Sequence, residues 1–223
     1  LGRTTTTGDL EGTTVEERPV QIDRGAIDAV LPRFVGALEQ LPPMHSALKH
    51  QGRALYEYAR EGVQVERAAR RIAIHAIDVL SYAGVTLVLD VRCSKGTYIR
   101  TLAEDIGAAL GCGAHLAALR RTGSGGLRVE DAITLDALAV LSDAERDAHL
   151  RPPDALLADW PAWRLSAEEA ARFLTGLRRR VDAPDAPRVR VYGPDARVLG
   201  AAHITAGELI PDRLLSPTEI ENL

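Results

Sequence analysis

A chain of 223 residues, 46% of them hydrophobic, is long enough for one large domain or for a domain with a small appendage. Nothing in it approaches the run of about eighteen apolar residues that a membrane span needs, and the opening LGRTTTTGDLEG carries no apolar segment of the signal-peptide kind. The formal charge of −4 argues against a nucleic-acid partner only if it is spread evenly, and it is not.

Residues 1–129 hold 16 Lys and Arg against 14 Asp and Glu, whereas residues 130–223 hold 11 against 17. Within the first part, residues 49–71 carry six basic side chains (Lys49, Arg53, Arg60, Arg67, Arg70, Arg71) and three acidic ones, with Tyr56 and Tyr58 between them. Interleaved cations and aromatics suit a phosphate backbone and unstacked bases, although a solvated helix face has the same composition.

In chain order, GTTVEERPVQI (12–22) reads as an extended strand. Asp23 then caps an amphipathic helix in which Ile27, Val30, Leu31, Phe34, Val35 and Leu38 share a face. LPPMHSALKHQG (41–52) is a defined loop, since its two prolines forbid helix and a glycine closes it. ALYEYAREG (54–62) is a short helix ended by Gly62. RRIAIHAIDVLSYAG (70–84) and VTLVLDVRC (85–93) alternate with a period of two and pair as a hairpin through Ala83-Gly84, with Val85, Leu87, Leu89 and Val91 on one face. TLAEDIGAALG (101–111) has helical spacing and stops at Gly111, so CSKGTYIR (93–100) is a strand-to-helix junction, a place where unpaired amides and side chains gather. Residues 113–122 fit strand or helix equally by periodicity.

Past residue 130, TLDALAVLS and DAERDAHL form short helices and RPPDALLADWP (151–161) is a proline-rich connector. Ser166 and Glu169 make a capping box at the start of SAEEAARFLTG, and short strands follow through 189–215. The division is therefore a core over 1–150 and a linker with a small β-rich module over 151–223. The two cysteines, Cys93 and Cys112, make no disulfide framework and favour a reducing cytoplasm. Cys112 and His115 have C-x-x-H spacing, but no second pair completes a zinc site.

Four stretches in order carry a resemblance: LGRTTTTGDLEG (1–12), LPPMHSALKHQGRALYEYAREG (41–62), CSKGTYIRTLAEDIGAALGCGAHLAALRRT (93–122) and VLGAAHITAGELIPDRLL (198–215). Together they resemble the TruB family of tRNA pseudouridine synthases. The resemblance implies an α+β fold with a large, mostly antiparallel mixed sheet flanked by helices, an RNA-clamping insertion at about 41–69 and a PUA-like RNA-binding module at the carboxy end. It implies isomerisation of uridine 55 in the T loop of tRNA, on a base flipped out of its stack and attacked by an aspartate. It also implies a cytoplasmic monomer with tRNA as partner, and no metal or organic cofactor.

Carried over residue by residue, Arg100 resembles the arginine that pairs with the catalytic aspartate; a guanidinium can grip a carboxylate bidentately and keep it ionised. Tyr98 resembles the tyrosine lining the base pocket, and Leu119 the residue whose backbone meets the uracil edge. Lys95, Arg120 and Arg121 are placed to reach phosphates. The stretch 42–60, with His45, Ser46, Lys49, Arg53, Tyr56 and Arg60, resembles the T-loop clamp.

The nucleophile's own motif, glycine-leucine-aspartate-proline, is absent from the 223 residues, and Asp9 and Asp90 stand in other contexts. The expectation is that the nucleophile lies in an amino-terminal segment upstream. A non-catalytic tRNA-binding or RNA-folding protein is the alternative. Without the motif, Arg100 reads as a surface ion pair and Tyr98 as core.

Overall fold

The computed structural model describes residues 1–221. The chain forms two compact units, Leu1–Arg120 and Arg121–Leu223.

The first unit opens with an antiparallel ribbon of β1 (Arg3–Thr5) and β2 (Thr14–Glu17). Helix α1 (Arg24–Val30) starts where expected, the Asp23 carboxylate accepting the Ala26 N–H at 2.8 Å. It does not continue to Leu38. Pro32 cannot donate to a helical ladder, so Leu31–Phe34 tighten into a 3₁₀ turn, and Gly36 at φ +112° leads into β3 (Gly36–Gln40). Two short strands, β4 (Lys49–His50) and β5 (Arg53–Ala54), close a tight ladder at the end of the 41–52 loop and hand over to α2 (Leu55–Arg60).

The long hairpin is present as β6 (Arg70–Ala83) and β7 (Thr86–Cys93), followed by α3 (Ile99–Ala109). Strands β3, β6 and β7 form an antiparallel sheet in that order. Its inner face carries Ile72 and Ile74 against Ile27 of α1 and Leu102 and Ile106 of α3, with Leu87, Leu89 and Val91 packed around them. Val85 falls outside the strand and is 57% exposed. Helix α3 ends at the expected glycine, Gly111 at φ +81°.

Residues 113–122 are neither strand nor helix. Their backbone is occupied by the chain's opening loop: the Gly2 N–H donates to the Gly113 carbonyl at 2.9 Å, Leu116 N–H to Gly8 at 2.9 Å, and Leu10 N–H to Leu116 at 3.1 Å. Periodicity reports burial along one element and is blind to this partner more than a hundred residues away.

The second unit begins with a hairpin, β8 (Gly123–Ser124) and β9 (Leu127–Arg128), and the short helices α4 (Leu135–Ala139) and α5 (Asp143–Ala148). Its body is a five-stranded sheet. The strands are β10 (Ala162–Arg164), β11 (Arg179–Arg180), β12 (Ala186–Tyr192), β13 (Val198–Thr205) and β14 (Glu208–Leu214). They lie in the order β10-β12-β13-β14-β11, antiparallel except for the parallel β10–β12 pair. Helix α6 (Ala167–Leu174), with the expected Ser166–Glu169 capping box, buries Phe173 against Val189, Val191, Ala202, Ile204 and Leu209. A last helix, α7 (Pro217–Glu221), follows. The α+β class expected from the sequence is thus the one observed, and the β-rich module has a hydrophobic core of its own.

Candidate active site

Gly96, at φ +85°, turns the chain out of β7. Nothing lies within 4 Å of where a Cβ would stand, so glycine is required there by backbone conformation rather than by close approach. Thr97 steadies the turn by donating its hydroxyl to the Ser94 carbonyl at 3.0 Å. Tyr98 is the extended N-cap of α3, and buried Gln40 brackets it: the Tyr98 N–H donates to Gln40 Oε1 at 2.8 Å and Gln40 Nε2 donates to the Tyr98 carbonyl at 3.1 Å. This double clasp locks the start of α3 to the end of β3, which sets the direction of Arg100.

Arg100 points at the Thr7–Asp9 loop. Its NH1 donates to the Thr7 carbonyl at 3.1 Å and stands 3.1 Å from Asp9 Oδ2, with both side chains about three-quarters buried (25% and 23% exposed). The other Asp9 oxygen accepts the Thr7 hydroxyl at 2.5 Å and the Glu11 N–H at 3.2 Å. Burial pushes the Asp9 carboxyl up. The Thr7 hydroxyl, the Arg100 charge, the Glu11 amide and the nearby His45 outweigh it and hold the group below the ordinary aspartate value.

One turn along α3, Glu104 presses its carboxyl against Gly8, 2.7 Å from where a Cβ would lie. Desolvation, then the neighbouring Asp105 charge, raise its pKa; Arg100 opposes them and Asp9 adds to them. Ionised Glu104 therefore weakens the folded state, and the penalty appears as pH rises past the ordinary glutamate range. We expect Glu104→Gln to raise the melting temperature near neutral pH and to have no such benefit at about pH 3, where the native side chain is protonated in both states. Melting curves at the two pH values check this; an equal effect at both would place the cause in packing instead.

The Asp9–Arg100 pair forms one side of a polar cleft of about 300 Å³, also lined by Thr7, Glu11, His45, Ser46, Ala47, Tyr56 and Arg60. The 41–62 stretch builds the facing wall. The Tyr56 N–H donates to the Ser46 carbonyl at 3.1 Å, tying α2 to the loop, and Arg60 stacks its guanidinium 5.2 Å from the Tyr56 ring centroid. Ser46 is buried, and its hydroxyl meets no partner among the described residues.

Five residues anticipated from sequence therefore meet in one place: Arg100, His45, Ser46, Tyr56 and Arg60. Others stand elsewhere. Arg53 is tied to Glu57 at 3.1 Å and to Glu61, and stacks over Tyr58 at 4.8 Å. Lys49, Lys95, Leu119, Arg120 and Arg121 are exposed outside the cleft, and half-buried Tyr98 does not line it. Sequence reasoning missed the roles of Gln40, Thr7 and Glu104, and weighed Asp9 only as a nucleophile. The one signal for Asp9 was its place in the first of the four ordered stretches; for Gln40 there was none. Among the described residues no three His, Cys, Asp or Glu side chains gather as a metal site would require, and no helix is long and apolar enough to cross a membrane.

The class of protein follows from fold and family together. The backbone is similar to a chain in the crystal structure of a Cbf5–Nop10–Gar1 complex, with a TM-score of 0.69 at 20% identity over 90% of this chain and 65% of that one. It is also similar to a chain of an H/ACA RNP bound to a substrate RNA containing 2′-deoxyuridine, with a TM-score of 0.66 at 20% identity over 89% and 63%. These likenesses establish the fold, and the chain spans less than two thirds of each. Three family descriptions tile the sequence: TruB family pseudouridylate synthase, N terminal domain (1–99); tRNA pseudouridylate synthase B C-terminal domain (100–158); and Pseudouridine synthase II TruB, C-terminal (161–215). The tRNA pseudouridine synthase B of Cupriavidus pinatubonensis is 54% identical over 96% of this chain and 72% of its own length, and that of Verminephrobacter eiseniae 52% over 100% and 70%. The chain belongs to the TruB family of pseudouridine synthases.

Proposed function

We propose that this chain is the larger part of a tRNA pseudouridine synthase, acting on uridine 55 of the T loop. The observation that carries the reading is the Arg100–Asp9 pair at the side of a polar cleft walled by the 41–62 stretch. Arg100 hydrogen-bonds through NH1, and among the described residues Nε and NH2 make no hydrogen bond. That free edge fits a second carboxylate, the nucleophilic aspartate contributed by the segment upstream of Leu1. Asp9, held ionised, keeps the guanidinium from rotating, so the nucleophile meets a fixed partner instead of a mobile one.

The cleft's size and polar walls suit a flipped nucleotide, since a stacked uridine exposes neither C1′ nor C5 to a side chain. In the isomerisation the bond from C1′ to N1 breaks and one from C1′ to C5 forms; C5 gives its proton to solvent and N1 gains one. Tyr98 and Leu119 lie outside the cleft and keep their base-side roles only as the family resemblance implies them, while His45, Ser46 and the Tyr56–Arg60 pair border the path of the ribose-phosphate strand. Lys49, Lys95, Arg120 and Arg121 are exposed cations available to the backbone beyond the cleft. Tritium release from 5-tritiated uridine in a T-arm stem-loop, by the complete gene product, tests the activity. Binding of the stem-loop with no release would leave an RNA-binding protein.

The clamp itself can be dissected. Arg60 has no ion pair among the described residues and stands over the Tyr56 ring, 5.2 Å from its centroid, which leaves its N–H groups for phosphate. Arg53 is taken up by two glutamates. We expect Arg60→Ala to make the slope of log affinity against log salt shallower by nearly one unit, about 0.7–0.9, and Arg53→Ala to leave that slope unchanged. The reverse order would show that Arg53 leaves its carboxylates for the RNA.

A further inference from the structure

Helix α3 starts without a side-chain cap of its own: Tyr98 stands at its N-cap and makes no such bond. The cap comes from a residue 58 positions away. At φ −93° and ψ 105° Tyr98 is extended, and an extended residue turns its N–H and its carbonyl to the same side. Gln40 meets both groups with one planar amide, at 2.8 and 3.1 Å, much as a residue of a neighbouring strand would. The backbone dictates which way that amide faces, since an N–H only donates and so requires Oε1 opposite it. The Tyr98 carbonyl also accepts the Leu102 N–H at 3.1 Å, so the clasp and the first turn of the helix share an atom.

Gln40 is itself held from the other side. It is 5% exposed, closes β3 and pairs with Arg70 of β6 in the sheet. The chain passes directly from it into the 41–62 wall of the cleft, where the Pro42 carbonyl accepts Arg67 NH1 at 2.8 Å. That bond ties the entry of the wall to the stretch that leads back into β6. Sheet, wall and helix start therefore converge on one side chain. Apolar packing of Leu102 and Ile106 presses α3 onto the sheet but has no preferred direction, whereas two hydrogen bonds to one residue fix how the first turn is rotated. Arg100 lies in that turn.

We infer that Gln40 is a positioning residue for the reaction: by gripping both backbone groups of Tyr98 it sets the first turn of α3 against the sheet and the wall, so that Arg100 faces the nucleophile in a fixed direction. The inference rests on the proposed synthase activity. Gln40 makes no hydrogen bond to Arg100 among the described residues and does not line the cleft, so it acts only through the backbone of α3.

The test is a double-mutant cycle on the complete gene product, with Gln40→Met, Arg100→Ala and the two together. Methionine keeps the length of the side chain and loses both hydrogen-bonding groups of the amide. In label release from the T-arm stem-loop, Gln40→Met is expected to lower kcat about 10–100-fold, the effect of a small misplacement, with KM within about threefold of wild type. Beside Arg100→Ala the same substitution should lower kcat by less than about twofold further, because the group it positions is gone. Losses that multiply in the double variant would overturn the inference, as would an unchanged kcat, or a change confined to KM, in folded Gln40→Met. Should that variant fail to fold, Gln40→Asn carries the cycle: its amide, one methylene shorter, reaches only one of the two groups, and its smaller loss should likewise vanish beside Arg100→Ala. Amide exchange reads the clasp without activity. Residues 98–102 should exchange about tenfold faster in Gln40→Met with β6 and β7 unchanged, and exchange equal to wild type would overturn the inference. A wild-type protein that binds tRNA and releases no label would sink the proposed activity and this inference with it, whereas multiplying losses in an active enzyme would sink the inference alone.

Discussion

Arg100→Ala is expected to lower turnover of tRNA by about 10²–10³-fold while tRNA affinity stays within a few-fold of wild type, because in the proposed role the lost group fixes the nucleophilic carboxylate and does not hold the RNA. Two local consequences follow from the geometry. The Thr7 carbonyl loses its donor and Asp9 its counter-ion, so the Thr7–Asp9 loop at the side of the cleft loosens. Removing one partner of a largely buried pair also leaves an uncompensated carboxylate, which adds a stability loss. Arg100→Lys discriminates between charge and shape: lysine restores the charge but has one point of attachment where the guanidinium offers a planar edge to two carboxylates. Recovery of most activity by lysine would show that charge alone suffices. Full turnover by the alanine enzyme would remove Arg100 from the chemistry.

Gly107→Ala should be the most damaging small substitution in the first unit. On an open helix the change would stabilise by up to about 1 kcal/mol, since glycine is the poorer helix former. Here the added Cβ would lie 2.3 Å from the Ala114 nitrogen and 2.5 Å from the Gly113 carbonyl carbon, and backbone cannot swing aside as a side chain can. Overpacking of this kind costs roughly 3 kcal/mol, so the clash wins. Its effect travels to the site, because Gly113 holds Gly2 and Leu116 holds both Gly8 and Leu10, which bracket Asp9. We expect a large drop in the denaturation midpoint and a fall in label release even at temperatures where the variant remains folded. Gly126→Ala is the control: nothing lies within 4 Å of its Cβ position, and stability should hardly change. Equal effects at the two glycines would mean that α3 can shift without cost.

Much of this protein is legible as text because its signals are local. The Asp23 and Ser166 caps, the Gly62 and Gly111 stops and the β6–β7 alternation all depend on residues within one turn or one strand of each other. The helix extended to Leu38 by periodicity fails for the same reason in reverse. Leu38 fits the helical spacing, yet it is drawn into the sheet by pairing with Ile72, a partner no local pattern reveals, once Pro32 has ended the helix.

The candidate site divides in the same way. Arg100 and the 41–62 wall were marked by ordered motifs, and the sequence by itself determined which residue types could bind RNA and grip a carboxylate. Only the tertiary structure decided which of them cooperate. It brought Asp9 to Arg100 and Gln40 to Tyr98 across sequence separations of 91 and 58 residues, and it tied Arg53 to its own glutamates while leaving Arg60 available. A cation's type is written in the chain, but whether it is already neutralised depends on what folding places within about 4 Å of it, and that distance is a property of packing.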